Sequence, residues 1–68
     1  MPDRLGNRLR DRRSELGLTQ AELAEKVGVT RKTVNTVENG VFTPSATLAI
    51  KLAAALGVSV EQLFWIES

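Results

Sequence analysis

The sequence predicts an all-α domain of five short helices. Three observations predict it. Gly17, Gly28, Gly40 and Gly57 each follow a stretch of helical periodicity, where a left-handed residue closes a helix. Thr19, Thr30, Ser45 and Ser59 stand shortly after these glycines, where a hydroxyl can accept the first free N–H groups of the next helix. No run alternates polar and apolar residues with period two over strand length, so no sheet is expected. At 68 residues the chain makes one domain spanning residues 1–68. Such a chain buries only about 60% of its unfolded surface, which leaves one modest core and no deep cleft.

The first helix is expected from about Leu5 to Leu16, with Leu5, Leu9 and Leu16 on one side, and Gly17 ends it. Thr19-Gln-Ala-Glu22 forms a capping box for the second helix, with Leu18 and Leu23 as its hydrophobic staple. Gly28 closes that helix after about eight residues. Thr30 caps the third, with Val29 and Val34 as staple, and Gly40 closes it. Ser45, after Pro44, caps the fourth, whose apolar face includes Leu48, Ala49, Leu52, Ala53 and Leu56. Ser59-Val-Glu-Gln62 is a second capping box, with Val58 and Leu63 stapling the fifth helix. The longest irregular connection is Gly40 to Pro44.

Composition excludes whole classes of chemistry. The chain has neither cysteine nor histidine. Disulfides, Cys/His zinc sites and His-based catalysis are therefore absent, and no metal or cofactor is expected. An enzyme is not expected, because nucleophile, base and metal cluster are all missing. Met1 to Arg13 is charged throughout and does not resemble a signal peptide. Leu48 to Val60 is the most apolar stretch; it is short, carries Lys51 and cannot span a bilayer. The expected location is the cytoplasm.

Net charge is +1, but it is unevenly distributed. Residues 1–32 hold eight basic side chains against five acidic ones, while residues 33–68 hold only Lys51 against Glu38, Glu61 and Glu67. A basic half and an acidic half suit a polyanion on one side; an Arg-rich solvated first helix is the alternative.

The segment 20–39 carries the functional signal. Two short helices meet at the tight turn Gly28-Val29-Thr30, and Ala24 is small where the helices must cross closely. Val27, Val29, Val34 and Val37 are spaced to lock the crossing. This is the helix-turn-helix pattern, with a recognition helix at about residues 31–39. At about 100° per residue, Val34 and Val37 point inward, and Lys32, Asn35, Thr36 and Asn39 point outward, with Arg31 at the edge. Arg and Lys donate to guanine, Asn pairs with adenine, and the Thr methyl meets that of thymine. The same residues also suit any solvated face; the turn motif favours base reading.

Gly17-Leu-Thr-Gln-Ala-Glu-Leu-Ala-Glu-Lys-Val-Gly28, Val29-Thr-Arg-Lys-Thr-Val-Asn-Thr-Val-Glu-Asn-Gly40, Pro44-Ser45 and Leu56-Gly-Val-Ser-Val-Glu-Gln-Leu-Phe64 resemble the Xre family. These are phage repressor and Cro-like regulators of bacteria and their phages. The resemblance covers about residues 5–64 and implies a five-helix, lambda-repressor-like bundle that binds double-stranded operator DNA, usually as a homodimer on an inverted repeat. No small-molecule ligand is expected. By position, Arg31, Lys32, Asn35 and Thr36 match base-reading residues. Gln20 matches the residue that bonds a phosphate and braces a base-reading side chain. Thr19, at a helix N-terminus, can reach the same phosphate. Asn39 matches a phosphate contact, with Thr43 in the loop that approaches the backbone.

Arg13 and Glu38 match a family ion pair between the first helix and the recognition helix. A partly buried structural pair is expected, the alternative being an exposed pair of about 0–1 kcal/mol. Many relatives carry an apolar residue where this chain has Arg12, which could be solvated or reach DNA or a partner. Leu63, Phe64, Trp65 and Ile66 crowd the last helix. A monomer this small buries about two such side chains, and surplus apolar surface marks interfaces. Residues 59–68 are therefore the expected dimerisation region, the alternative being that all four residues close the core. The function expected is a dimeric, sequence-specific transcriptional regulator acting as a repressor. Alternatives are an antitoxin-like protein-interaction module or a restriction-modification controller.

Overall fold

The computed structural model describes residues 3–67. The element order is β1 (Arg4–Asn7), α1 (Leu9–Glu15), α2 (Gln20–Val27), α3 (Arg31–Glu38), α4 (Ala46–Leu56), α5 (Val60–Leu63) and β2 (Phe64–Glu67). Four of the helices, α2 to α5, begin at the hydroxyl residues that the sequence marks as caps. Thr19 and Ser59 each form a complete capping box, and Thr30 and Ser45 accept from Thr33 N and Leu48 N. At the α2–α3 corner Gly28 adopts φ 77°, and the Val29 N–H reaches back to Ala24 O at 3.0 Å. A side chain at that φ is strained, which is why glycine stands there.

Two expectations are corrected. A sheet exists: β1 and β2 pair antiparallel, with Leu5 opposite Ile66, Gly6 opposite Trp65 and Asn7 opposite Phe64. Each strand has four residues, too few to show a period. The run Phe-Trp-Ile-Glu reads as readily as helix. The first helix accordingly begins at Leu9 rather than Leu5, and the fifth is a single turn ending at Leu63. A two-stranded ribbon is marginal by itself. Here Phe64, 6% exposed, and the half-buried Leu5 anchor it on the helical core.

Leu9, Leu23, Val34, Val37, Leu52, Leu56 and Leu63 are the largest fully buried side chains, drawn from every helix. Leu63 and Phe64, expected at a dimer interface, are thus core residues at 0% and 6% exposure. Trp65 and Ile66 are exposed, at 39% and 66%. Strand alternation sends these two to opposite faces of the ribbon. The Trp65 indole lies across Gly6, where an added Cβ would come 2.6 Å from Cε2.

Arg12 also finds its place. Its Nε donates to Leu56 O at 2.9 Å, at the last turn of α4. Terminal helix carbonyls lack intrahelical donors and carry partial negative charge, so a guanidinium satisfies both needs.

Candidate nucleic-acid interface

The outward side of α3 lies beside the N-terminus of α2. Val34 and Val37 are 1% and 2% exposed, so the opposite side of the helix faces water. Arg31 and Lys32 are exposed at its first turn. Asn35 and Thr36 are half-buried rather than fully outward. Gln20 leans over Asn35, and the loop after α3 folds back, with the Val41 and Phe42 N–H groups donating to Thr36 O at 2.9 and 3.2 Å. The Thr36 hydroxyl donates to Thr33 O at 2.9 Å, which commits its hydrogen to the helix itself.

Glu38 is the electrostatic centre of the site. Its side chain has 0% exposure, and Arg13 beside it has 14%. Arg13 Nε donates to Glu38 Oε2 at 2.6 Å and Arg13 Nη2 to Oε1 at 3.3 Å. The third arm, Nη1, donates to Leu18 O at 2.7 Å. One guanidinium therefore joins α1, the α1–α2 connection and α3. Gln20 Nε2 and Arg10 Nε add donors to Glu38 Oε1 at 3.1 and 3.5 Å. Burial pushes the Glu38 carboxyl up, but the hydrogen bonds from Arg13, Gln20 and Arg10 and the Arg13 charge outweigh it, so it lies below the usual carboxylate range.

From Glu38 the hydrogen bonds continue to the outer side of α3. Gln20 Nε2 also donates to Asn35 Oδ1 at 3.1 Å, and Gln20 Oε1 accepts from Arg31 Nη1 at 3.4 Å. Asn39 Nδ2 donates to Asn35 O and Oδ1 at 2.9 and 3.2 Å. Asn39 Oδ1 in turn accepts from Arg10 Nη2 at 3.0 Å. Of the expected residues, Gln20, Arg31, Asn35, Asn39, Arg13 and Glu38 are joined in one network. Lys32 stands outside it. Thr19 is engaged in its capping box with Glu22, whose carboxyl is lowered by the Thr19 backbone N–H and hydroxyl. Asn39 and Thr43 line a cleft of about 320 Å³ between β1 and the loop after α3, with Arg4 at its edge.

Sequence reasoning missed Arg10 and Asn7. Arg10 is three residues before Arg13, and that spacing puts both on one side of α1, toward Glu38. Asn7 accepts from Leu9 N and donates to Val37 O, both at 3.0 Å, tying β1 to α1 and α3. Nothing short-range signals that second bond, which spans 30 residues. Among the described residues no group of three or more His, Cys, Asp or Glu could hold a metal ion, and no helix is long and apolar enough to cross a membrane.

The helix-turn-helix family model matches residues 9–63. The HTH-type transcriptional regulator YgzD of Bacillus subtilis is 41% identical over 61 residues, covering 90% of this chain and 92% of YgzD. The P22 c2 repressor, solved with a synthetic operator, superposes with TM-score 0.77 at 31% identity, over 79% of this chain and 82% of that one. The restriction-modification controller C.AhdI of Aeromonas hydrophila gives TM-score 0.76 at 38% identity, over 81% and 80% of the two chains.

Proposed function

This chain belongs to the helix-turn-helix family and is a DNA-binding transcriptional regulator, and from that premise we propose that it is a dimeric repressor acting at an inverted-repeat operator. The observation that carries the reading is the braced outer side of α3. Arg31 and Asn35 are held from α2 through Gln20, and Lys32 projects freely beside them. Rigid side chains on a helix are what base readout in a major groove requires.

Arg31, Lys32, Asn35 and Thr36 read base edges. Thr36 contributes through its methyl and oxygen, because its hydroxyl hydrogen is committed to Thr33 O. Thr19 through its hydroxyl and Gln20 through its backbone N–H at the start of α2 hold phosphate at one end of the helix pair; at the other Thr43 does so, beside Asn39, whose amide hydrogens are engaged by Asn35. Phosphate contacts set the register and base contacts set the sequence. Dimerisation runs through the exposed part of the C-terminal region, Trp65 and Ile66. It places two recognition helices about 34 Å apart, one turn of B-DNA. A dimer covering an operator that overlaps a promoter represses by excluding polymerase.

The test is selection from a randomised duplex pool at a fixed, near-physiological salt concentration, followed by sequencing. An enriched inverted repeat with half-sites about one turn apart is the expected result. A single half-site overturns the dimer, and binding without any enriched sequence overturns specific recognition.

A further inference from the structure

We infer that the buried Glu38 carboxylate sets the hydrogen-bonding polarity of the recognition side of α3, so that Asn35 offers DNA donors only and reads a guanine rather than an adenine. The inference rests on the DNA-binding reading above and adds the identity of one base.

An ionised carboxylate only accepts, and a guanidinium only donates. Gln20 lies between one of each: its amide meets Glu38 Oε1 at 3.1 Å on one side and Arg31 Nη1 at 3.4 Å on the other. Only one orientation satisfies both, with Nε2 toward Glu38 and Oε1 toward Arg31. The second hydrogen on Nε2 then falls on Asn35 at 3.1 Å, so Asn35 must present Oδ1 there. Asn39 enforces the same choice independently. Arg10 holds its Oδ1 at 3.0 Å and the Asn35 backbone carbonyl holds its Nδ2 at 2.9 Å, so that Nδ2 also faces Asn35 Oδ1, at 3.2 Å. Turning Asn35 over would set its NH2 against two other NH2 groups.

Both lone pairs of Asn35 Oδ1 are therefore occupied. The Nδ2 end makes no hydrogen bond within the described residues. No buried side-chain nitrogen or oxygen among them lacks a partner, so this end is open to water. Bidentate recognition of adenine needs an acceptor for N6–H as well as a donor for N7. Asn35 has only the donor to give. Guanine shows two acceptors, O6 and N7, in the major groove and fits a donor-only head. Arg31 and Lys32 beside it are likewise donors only. Glu38 and Gln20 thus act as positioning residues for specificity, at one and two removes from the base.

The test compares the sequences selected from a randomised duplex pool by the full-length parent and by Asn35→Ala, which identifies the position Asn35 reads. A G·C pair is expected there, favoured over A·T by roughly tenfold and levelled in Asn35→Ala. Glu38→Gln keeps the shape but lets Gln20 turn over, so the same preference should fall to about threefold or less while neighbouring positions keep theirs. An A·T pair at the Asn35-dependent position overturns the guanine reading and leaves the regulator reading intact. So does a folded Glu38→Gln with the parental profile, or an Asn35→Ala whose profile matches the parent. If Glu38→Gln fails to fold, the parent and Asn35→Ala decide alone. A parent that enriches no sequence overturns both this inference and the specific binding it rests on.

Discussion

Glu38 and Arg13 are each a single residue on which several elements depend. Removing one partner of a fully buried ion pair costs about 3–5 kcal/mol, because the other charge is left in an apolar setting. Glu38 has no exposed side-chain surface and Arg13 very little. Glu38→Ala is therefore expected to lose about 3 kcal/mol, lowering the thermal midpoint of so small a domain by roughly 12 °C or more. A circular-dichroism melt that overlays the parent would show the pair to be merely a surface contact. The lowered Glu38 carboxyl has a pH consequence as well. A carboxyl held lower when folded than when unfolded stabilises the fold above its unfolded pKa and loses that contribution as pH falls through the folded value. The midpoint should stay level from pH 7 to about pH 5 and drop below about 4.3, with a shallower drop in Glu38→Gln. Exposed Glu22, lowered by its capping bonds to Thr19, adds to the same acid limb.

Among the elements, the β1–β2 ribbon depends on a glycine that no helical pattern demands. The Trp65 indole occupies the space a side chain at position 6 would fill. Trp65 Nε1 donates to Glu67 Oε2 at 3.1 Å, which fixes the ring over the ribbon. Gly6→Ala should push the indole off. The fluorescence of this lone tryptophan should shift to the red and the melt should move down, by about 1–3 kcal/mol as for overpacking elsewhere. An unchanged emission maximum would mean that the ring does not rest on Gly6. The same packing makes Trp65 a poor probe of assembly, since its removal disturbs the ribbon and any interface together. In the recognition helix, Lys32 is tied to no other side chain among the described residues. Lys32→Ala should leave stability unchanged and weaken the preference at one cognate base pair by roughly five- to 150-fold, with little effect on random duplex. Equal losses on both duplexes would reassign it to phosphate.

At the scale of the whole molecule, assembly and charge matter. Ile66 is the most exposed large apolar side chain of the C-terminal region and packs little within its own chain. Ile66→Asp should move the sedimentation profile from dimer to monomer at micromolar concentration without unfolding the chain. A profile identical to that of the parent would take Ile66 out of the interface. Basic residues of α1 and the first turn of α3 flank the braced network, and DNA binding should weaken steeply with salt. The logarithm of the affinity is expected to fall by about 0.9 per neutralised phosphate for each unit in the logarithm of salt concentration.

The sequence by itself determined where α2 to α5 begin and the turn between α2 and α3. Their signals are local: a hydroxyl three residues before the N–H it accepts, a glycine at a helix end, an apolar residue every third or fourth position. It also placed Arg31, Lys32, Asn35 and Thr36 on one side of a helix, because helical geometry alone fixes that. Only the tertiary structure decided the β ribbon, where Gly6 meets Trp65 across 59 positions of chain, and the burial of Leu63 and Phe64, which a run of four apolar residues cannot apportion. It alone gave Arg12 its carbonyl at the end of α4, and joined Arg10, Gln20, Asn35 and Asn39 around Glu38. Pairings of this kind depend on where distant backbones come to rest. Hydrogen-bond polarity then passes from one side chain to the next through contacts that no local spacing encodes.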